Sequence, residues 1–433
     1  MNTPVKSVER VIGLDAHPDS FTSAVIRGPT PAAAVVEKIY NRVPMSRLPS
    51  WAKKHTTEAD LIVLEASGNS FQVVRALAAI GRKAKVLESC HLGQLKEAHA
   101  NNDKISAVRI GKAYLAGTAK EVWVPDLKTQ ERRDWFHAHR KATKRTTQLS
   151  SRLRSYLSDN GVRLKPHCRL TEPGAAEEQI RQGREWSSRQ WRVIEILLMD
   201  LRQAEQQRQH WRSLIAQEVL EDPLLLSLVR LCGVREMVAF AVGAFVGDIQ
   251  RFADPKKLVK YVGLNPAFDD SGQTKWSGGI GGHGNKYLRC LLVEAAHAIL
   301  RCSKSPLAQW GKKLLASKSQ INLAVAAMAR KLTVAIWYLL NGRWTPLEEI
   351  DDPLALKVGK MISSVGEPGL KTLNKPRKAF REEILQRLKA GRSYQLKQPP
   401  ENPQGSAIKN PERAEKMAHN YGLNKTMNAL VNT

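Results

Sequence analysis

The chain has 433 residues, 42% of them hydrophobic and 25% charged, too many for one ordinary domain and enough apolar side chains to rule out wholesale disorder. Lys and Arg number 68 against 41 Asp and Glu, a formal charge of +27, so the expected partner is a polyanion, with nucleic acid favoured over a merely basic protein. The five scattered cysteines (Cys90, Cys168, Cys232, Cys290 and Cys302) form no CxxC pair, and the start MNTPVKSVERVIGLD has no apolar run. A disulfide framework, a zinc finger and a secretory signal are therefore not indicated, and a reducing cytoplasm is expected.

In chain order, the first 125 residues read as α/β. Val8–Asp15 is an apolar run closed by an acid, and Phe21–Ile26 follows after the turn-like HPDS, so the two predict a hairpin. Val35–Tyr40 is a third strand candidate. Leu61–Glu65 (LIVLE) has the continuous apolar character of a buried central strand. Ser67–Ile80 reads as a helix, Ala84–Leu87 as a strand, Lys104–Ala116 as a helix and Glu121–Val124 as the last strand. Asp15 and Glu65 both end apolar strands, and Asp103 precedes a helix. Functional groups gather at the C-terminal edge of an open α/β sheet, and carboxylates converging there can hold hard cations for phosphodiester chemistry. For any one acid alone, a solvated strand end or helix cap is the better reading. Strand-Asp, hairpin, strand-Glu and then Asp before a helix is, however, the order of ribonuclease H-like nucleases.

Beyond Leu127 strand signals vanish. Ile194, Leu197, Leu198 and Leu201 mark one face of a helix, and long helices, paired as a coiled coil, are expected on either side of 161–174. Glu131–Arg154 holds eight Lys or Arg, among them Arg140, Lys141, Lys144 and Arg145. That is either a solvated face or a helix tracking phosphates. From Asp222 the chain is apolar at helical spacing, and Ile321–Leu340 is the best candidate for a membrane span. Arg330 and Lys331 at its centre argue against that use, so no membrane partner is expected. Residues 356–433 carry 15 Lys and Arg against 6 Asp and Glu and are expected to be loosely ordered in part. The expected divisions are 1–126, a basic helical linker at 127–221, a helical domain at 222–345 and a basic tail at 346–433.

The string YVGLNPAFDDSGQTKWSGGIGGHGNKYLRCLL carries the most information. Its glycines allow close backbone approach, but it is neither a Walker A loop nor a GxGxxG turn. Ser271 and Ser277 flank Lys275, and a serine near cations could attack a phosphodiester, whereas a flexible basic loop touching phosphate is the plainer alternative.

In its order of motifs, the chain resembles the transposases of insertion-sequence family 110, related to the Piv-type DNA invertases, over roughly residues 8–345. Asp15 in VIGLDAH, Glu65 in LIVLEASG and Asp103 in NNDKISA match three of the four metal-binding acids of that family's ribonuclease H-like (RuvC-like) domain. Ser106 stands where the fourth acid is usual. Gly263-Leu264-Asn265-Pro266, Ser271-Gly272, Gly278-Gly279-Ile280, Gly284-Asn285 and Leu288-Arg289 match the pattern of its second domain. The resemblance implies an α/β RuvC-like domain, a long helical region and a mostly α-helical C-terminal domain. It implies Mg²⁺ (or Mn²⁺) at Asp15, Glu65 and Asp103, and Ser271 as a nucleophile that forms a covalent phosphoserine, with Lys275, Asn285 and Arg289 beside the nucleic acid. Double-stranded DNA, a guide-type non-coding RNA and further copies of the chain, as a dimer or tetramer at the bacterial nucleoid, are the expected partners. A metal-dependent nuclease or Holliday-junction resolvase without serine chemistry, or an inactive nucleic-acid binder, are the alternatives.

Overall fold

The computed structural model describes residues 10–89, 102–165, 168–271, 274–343, 345, 347–349 and 352–390, and for 267–278 the backbone alone. The chain divides into two compact units, Met1–Asp126 and Leu127–Thr433.

The first unit is a mixed sheet of six strands: β1 (Arg10–Ala16), β2 (Ser20–Arg27), β3 (Val35–Pro44), β4 (Leu61–Glu65), β5 (Lys83–Leu87) and β6 (Glu121–Val122), in the order β3-β2-β1-β4-β5-β6. The hairpin β1–β2 and the pair β2–β3 are antiparallel, while β1, β4 and β5 run parallel. Strand alternation sorts the core onto two faces. Ile12, Leu14, Ile62 and Leu64 pack with Leu48 and Trp51 of α1 (Leu48–His55) and with Val73 and Leu77 of α2 (Ser70–Ala78). Val11, Leu61 and Val63 pack with Ile110 and Ala113 of α3 (Asp103–Leu115) on the opposite face. The short α1 was not expected from the sequence, although Leu48, Trp51 and Ala52 fall at i, i+3 and i+4 and are buried; Pro49 in its first turn suits its start.

The second unit is helical except for one ribbon. Its helices are α4 (Leu127–Asp159), α5 (Ala175–Gly183), α6 (Ser188–Glu221), α7 (Pro223–Leu228), α8 (Glu236–Phe245), α9 (Pro255–Val262), α10 (Lys286–Cys302), α11 (Pro306–Lys318), α12 (Ile321–Leu340), α13 (Asp352–Thr372) and α14 (Arg377–Ala390). Two strands, β7 (Pro266–Ser271) and β8 (Thr274–Ile280), pair antiparallel between α9 and α10. This ribbon replaces the flexible loop expected there. Two extended runs with two residues between them are a hairpin signal that the glycine content obscured.

One further expectation is corrected. Region 127–221 is no free-standing linker. Leu153 and Leu157 of α4 share a small core with Ile180, Ile194, Leu197, Leu198 and Leu201, but Phe136, Ile215, Ala216, Val219 and Leu220 belong to the main core of the unit. Within the expected tail, residues 352–390 form α13 and α14, and Leu354, Val358, Met361, Phe380, Ile384 and Leu388 are buried in that same core. At roughly 1.5–3 kcal/mol for each large apolar side chain, this burial offsets the ordering cost that the basic composition suggested would win. The rest of the expected tail, 391–433, lies outside the described residues. Among those residues, α12 is the helix long and apolar enough to cross a membrane. Here its Ala324, Val325, Met328, Leu332 and Ile336 are core residues of the unit, and Arg330 and Lys331 are exposed.

Candidate functional site

In the first unit, the two-residue period that buries Val11 and Gly13 of β1 toward α3 carries Asp15 to the same face. In β4 it does the same for Leu61, Val63 and Glu65. Leu14 and Leu64 are register partners in neighbouring parallel strands, so Asp15 and Glu65 end adjacent strands side by side. Asp103 reaches them because α3 lies close on β1. A Cβ on Gly13 would stand 1.9 Å from the Ala107 carbonyl oxygen, so only glycine permits the approach. From Gly13 to Asp15 is about 6.6 Å of strand, and from Ala107 back to Asp103 is about 6 Å of helix, which brings the two acids level. Asn102 caps α3 by accepting from the Ile105 amide at 2.9 Å.

One ligand atom each from Asp15, His17 and Asp103 lies within 4.8 Å of the others. His17 Nε2 is 3.8 Å from Asp15 Oδ1 and 3.7 Å from Asp103 Oδ1, and Arg42 Nε is 3.7 Å from Asp103 Oδ2. The β1–β2 turn fixes His17: its amide donates to Ser20 O at 2.9 Å, and its carbonyl accepts from Asn69 Nδ2 at 2.9 Å. Burial pushes the Asp15 carboxyl above the usual aspartate value. The His17 charge opposes that rise, Asp103 and Glu65 add to it, and Arg109 opposes it. Two carboxylates and an imidazole this close, with a third carboxylate beside them, are a donor set that fits a divalent cation. Ser106, one turn beyond Asp103, is buried, and its hydroxyl accepts from Arg109 Nη2 at 3.4 Å. Sequence reasoning missed His17 and Arg42. The spacing D-A-H was a legible signal for the first. The second depends on a bulge in β3, where Arg42 adopts φ 50°, and no sequence pattern marks that.

In the second unit, the expected nucleophile Ser271 ends β7 opposite Thr274, and Lys275 pairs with Asp270. This register puts positions 269, 271, 274 and 276 on one face of the ribbon and 268, 270, 275 and 277 on the other. Ser271 and Lys275 are therefore on opposite faces. The base of the ribbon is locked. Gly263 closes α9 in the left-handed conformation (φ 81°), and Gly284 (φ 92°) lies so close that its Cβ would stand 2.7 Å from Gly263 Cα. The Asn285 amide donates to Tyr261 O at 2.8 Å, while the Asn285 side chain caps α10 by accepting from the amides of Tyr287 and Leu288. Arg289 Nη1 donates to His283 O at 2.6 Å, with Val262 O at 3.4 Å and Gly263 O at 3.5 Å. Asn285 and Arg289, both expected beside nucleic acid, are thus engaged in holding the ribbon's base together.

Cations surround that base. An open groove of about 610 Å³ is lined by Lys257, Lys260, Tyr261, His283, Gly284 and Asn285. On α4, Arg140 lies over the Tyr287 ring at 4.4 Å, and Arg140, Lys141, Lys144 and Arg145 are exposed. The same helix also has buried polar residues. Burial, reinforced by Arg208 and Arg212, lowers His139 to about 4, so it is neutral at physiological pH. Arg132 is bound to Glu218 and Asp222. Residues 227–310, which span this lock and the ribbon, match the family described as Transposase IS116/IS110/IS902.

Over that segment the chain is similar to this transposase family, and its curated relatives are transposases too. It is 23% identical over 287 residues to the transposase for insertion sequence element IS1111A of Coxiella burnetii, covering 66% of this chain and 78% of that one. It is also 23% identical over 302 residues to a probable family 20 transposase of Pseudomonas aeruginosa, covering 65% and 84%. The segment similar to the IS116/IS110/IS902 transposases contains the whole lock formed by Gly263, Gly284, Asn285 and Arg289.

Proposed function

We propose that this protein is an insertion-sequence transposase that cuts and rejoins DNA by phosphodiester transesterification. Two chemical centres are involved: a carboxylate site built on Asp15, Glu65 and Asp103, and a serine nucleophile, Ser271. The observation that carries the proposal is the convergence of Asp15, His17 and Asp103 within 4.8 Å at the edge of a sheet. The sheet order, with an antiparallel hairpin β1–β2 beside the parallel strands β4 and β5, supports a ribonuclease H-like, RuvC-like first unit. A divalent cation such as Mg²⁺ or Mn²⁺ held by the acids would supply positive charge to an oxyanion that develops at phosphorus. The acids themselves would bind and orient that ion, and β1, β4 and α3 hold them in place.

In the transfer step the Ser271 Oγ attacks phosphorus. The Oγ–P bond forms as the bond from phosphorus to the leaving oxygen of the cut strand breaks. The serine proton leaves to a base or water, and the departing oxygen takes up a proton. Reversal by a hydroxyl of another strand rejoins DNA and frees the serine. The exposed cations of α4 and the Lys257–Lys260 groove suit contact with DNA phosphates and with a structured RNA. Trapping denatured protein on labelled DNA tests the proposal. An adduct formed by the wild type and by Ser277→Ala, but absent from Ser271→Ala, is expected. Free nicked product without adduct would favour a metal-dependent nuclease instead, and an adduct mapped to Ser277 would overturn the assignment of Ser271.

A further inference from the structure

Ser106 and Arg109 adjoin the acid site. Ser106 is 6% exposed and one helical turn from Asp103, on the face of α3 pressed against β1. A carboxylate at this position would face the other acids. The hydroxyl instead accepts from the Arg109 guanidinium at 3.4 Å. The Arg109 charge is felt at Asp15, where it favours the carboxylate form. The ligand atoms that do converge belong to Asp15, His17 and Asp103. The edge thus has one cluster suited to a cation and, beside it, a cation already built into the protein.

We propose that this site holds one divalent cation, bound by Asp15, His17 and Asp103, and that the Arg109 guanidinium, steadied by Ser106, takes the place of a second ion. The inference rests on the metal-site part of the proposed function. A neutral hydroxyl offers a second ion little compensation for lost hydration, and a guanidinium nearby repels it. A guanidinium keeps its charge at every working pH and needs no free metal, so the site gains a permanent positive charge next to Asp15. The imidazole also makes the donor set less purely oxygen than Mg²⁺ favours, so Mn²⁺ should bind more tightly than Mg²⁺.

Mn²⁺ titration of the full chain without DNA, followed by calorimetry and electron paramagnetic resonance, tests this independently of any strand transfer. The expected result is one Mn²⁺ per chain, with affinity lowered at least tenfold in His17→Gln, and two Mn²⁺ per chain in the double variant Ser106→Asp/Arg109→Gln. Circular dichroism identifies any variant that has not folded; Ser106→Asp alone then serves in place of the double variant and should raise the stoichiometry above one. Two ions in the wild type, or one ion whose affinity is unmoved by His17→Gln, would overturn the inference while leaving a metal site in place. No binding by the wild type, or binding unchanged in both Asp15→Asn and Asp103→Asn, would overturn the metal reading itself.

Discussion

Gly263→Ala should release the ribbon that carries Ser271 without unfolding its unit. The added Cβ would stand 2.0 Å from the His283 carbonyl oxygen and 2.2 Å from Arg289 Nη1, where ordinary contacts begin near 3.4 Å. The Arg289 side chain can rotate away, but only by giving up its bond to His283; the carbonyl is backbone and cannot. The left-handed φ of 81° adds about 1–2 kcal/mol for any residue with a Cβ, and overpacking adds about 1–3 kcal/mol. A central sum of about 3 kcal/mol corresponds to roughly a hundredfold rise in the open population of the lock. Hydrogen exchange followed by mass spectrometry reads this directly. The amides of Asn285, Tyr287, Leu288 and Arg289, which bond to Tyr261 O, the Asn285 side chain and Asn285 O, should exchange about a hundredfold faster, and adduct formation should fall with them. Gly282→Ala is the control: nothing lies within 4 Å of its added Cβ, so protection should stay at the wild-type level. Wild-type protection in Gly263→Ala, or equal loosening in Gly282→Ala, would refute the lock.

Asp15→Ala, Glu65→Ala and Asp103→Ala should each abolish strand transfer while changing DNA affinity little, as measured by gel shift, because in the proposed site Asp15 and Asp103 would bind the cation, Glu65 would add negative charge beside it, and none of the three would touch phosphate. Nucleic-acid binding should be steeply salt-dependent: about six phosphate contacts give a log–log slope near −5, and Lys257→Gln/Lys260→Gln should flatten it by about 2 if both lysines in the groove touch phosphate. Asp222 is a pH probe of the second unit. Burial alone would raise it, but hydrogen bonds from Lys128, the Leu225 amide and Arg132, with the charge of Arg132, outweigh that and hold it at about 2. A depressed carboxylate stabilises above its unfolded value near 3.8, and that stability is lost as pH falls toward 2. Asp222→Asn should therefore cost about 1–2 kcal/mol in urea titrations at pH 7, discounted for partial exposure, and almost nothing near pH 2.

Much of the first unit was legible because its strands are short apolar runs between turns, and period two alone sorts them into faces. Leu61–Glu65 matches β4 residue for residue. The placement of Asp103 was harder to foresee, since it depends on Gly13 letting α3 approach, and a lone glycine in a strand has many uses. In the second unit the difficulty was charge. A basic stretch looks solvated, yet Lys357 is buried and donates to Val229 O and Leu231 O at 2.8 Å each, and Arg387 donates to Leu220 O and Glu221 O. Such long-range caps leave no local pattern. Conversely, Asn285 and Arg289 were expected to meet nucleic acid on the strength of their motif, and their geometry accounts for them through the lock.

The fate of those arginines and lysines bears on how the protein would meet a polyanion. Arg132, Arg212, Arg235, Arg289, Lys357 and Arg387 all bond carboxylates or carbonyls of the same unit. A cation engaged in this way cannot exchange partners with a phosphate without loosening the packing it supports. The formal +27 therefore overstates the number of counterions a bound nucleic acid can displace. Affinity should track the mobile lysines and arginines at the surface, and charge substitutions at the committed ones should be felt first as melting rather than as lost binding.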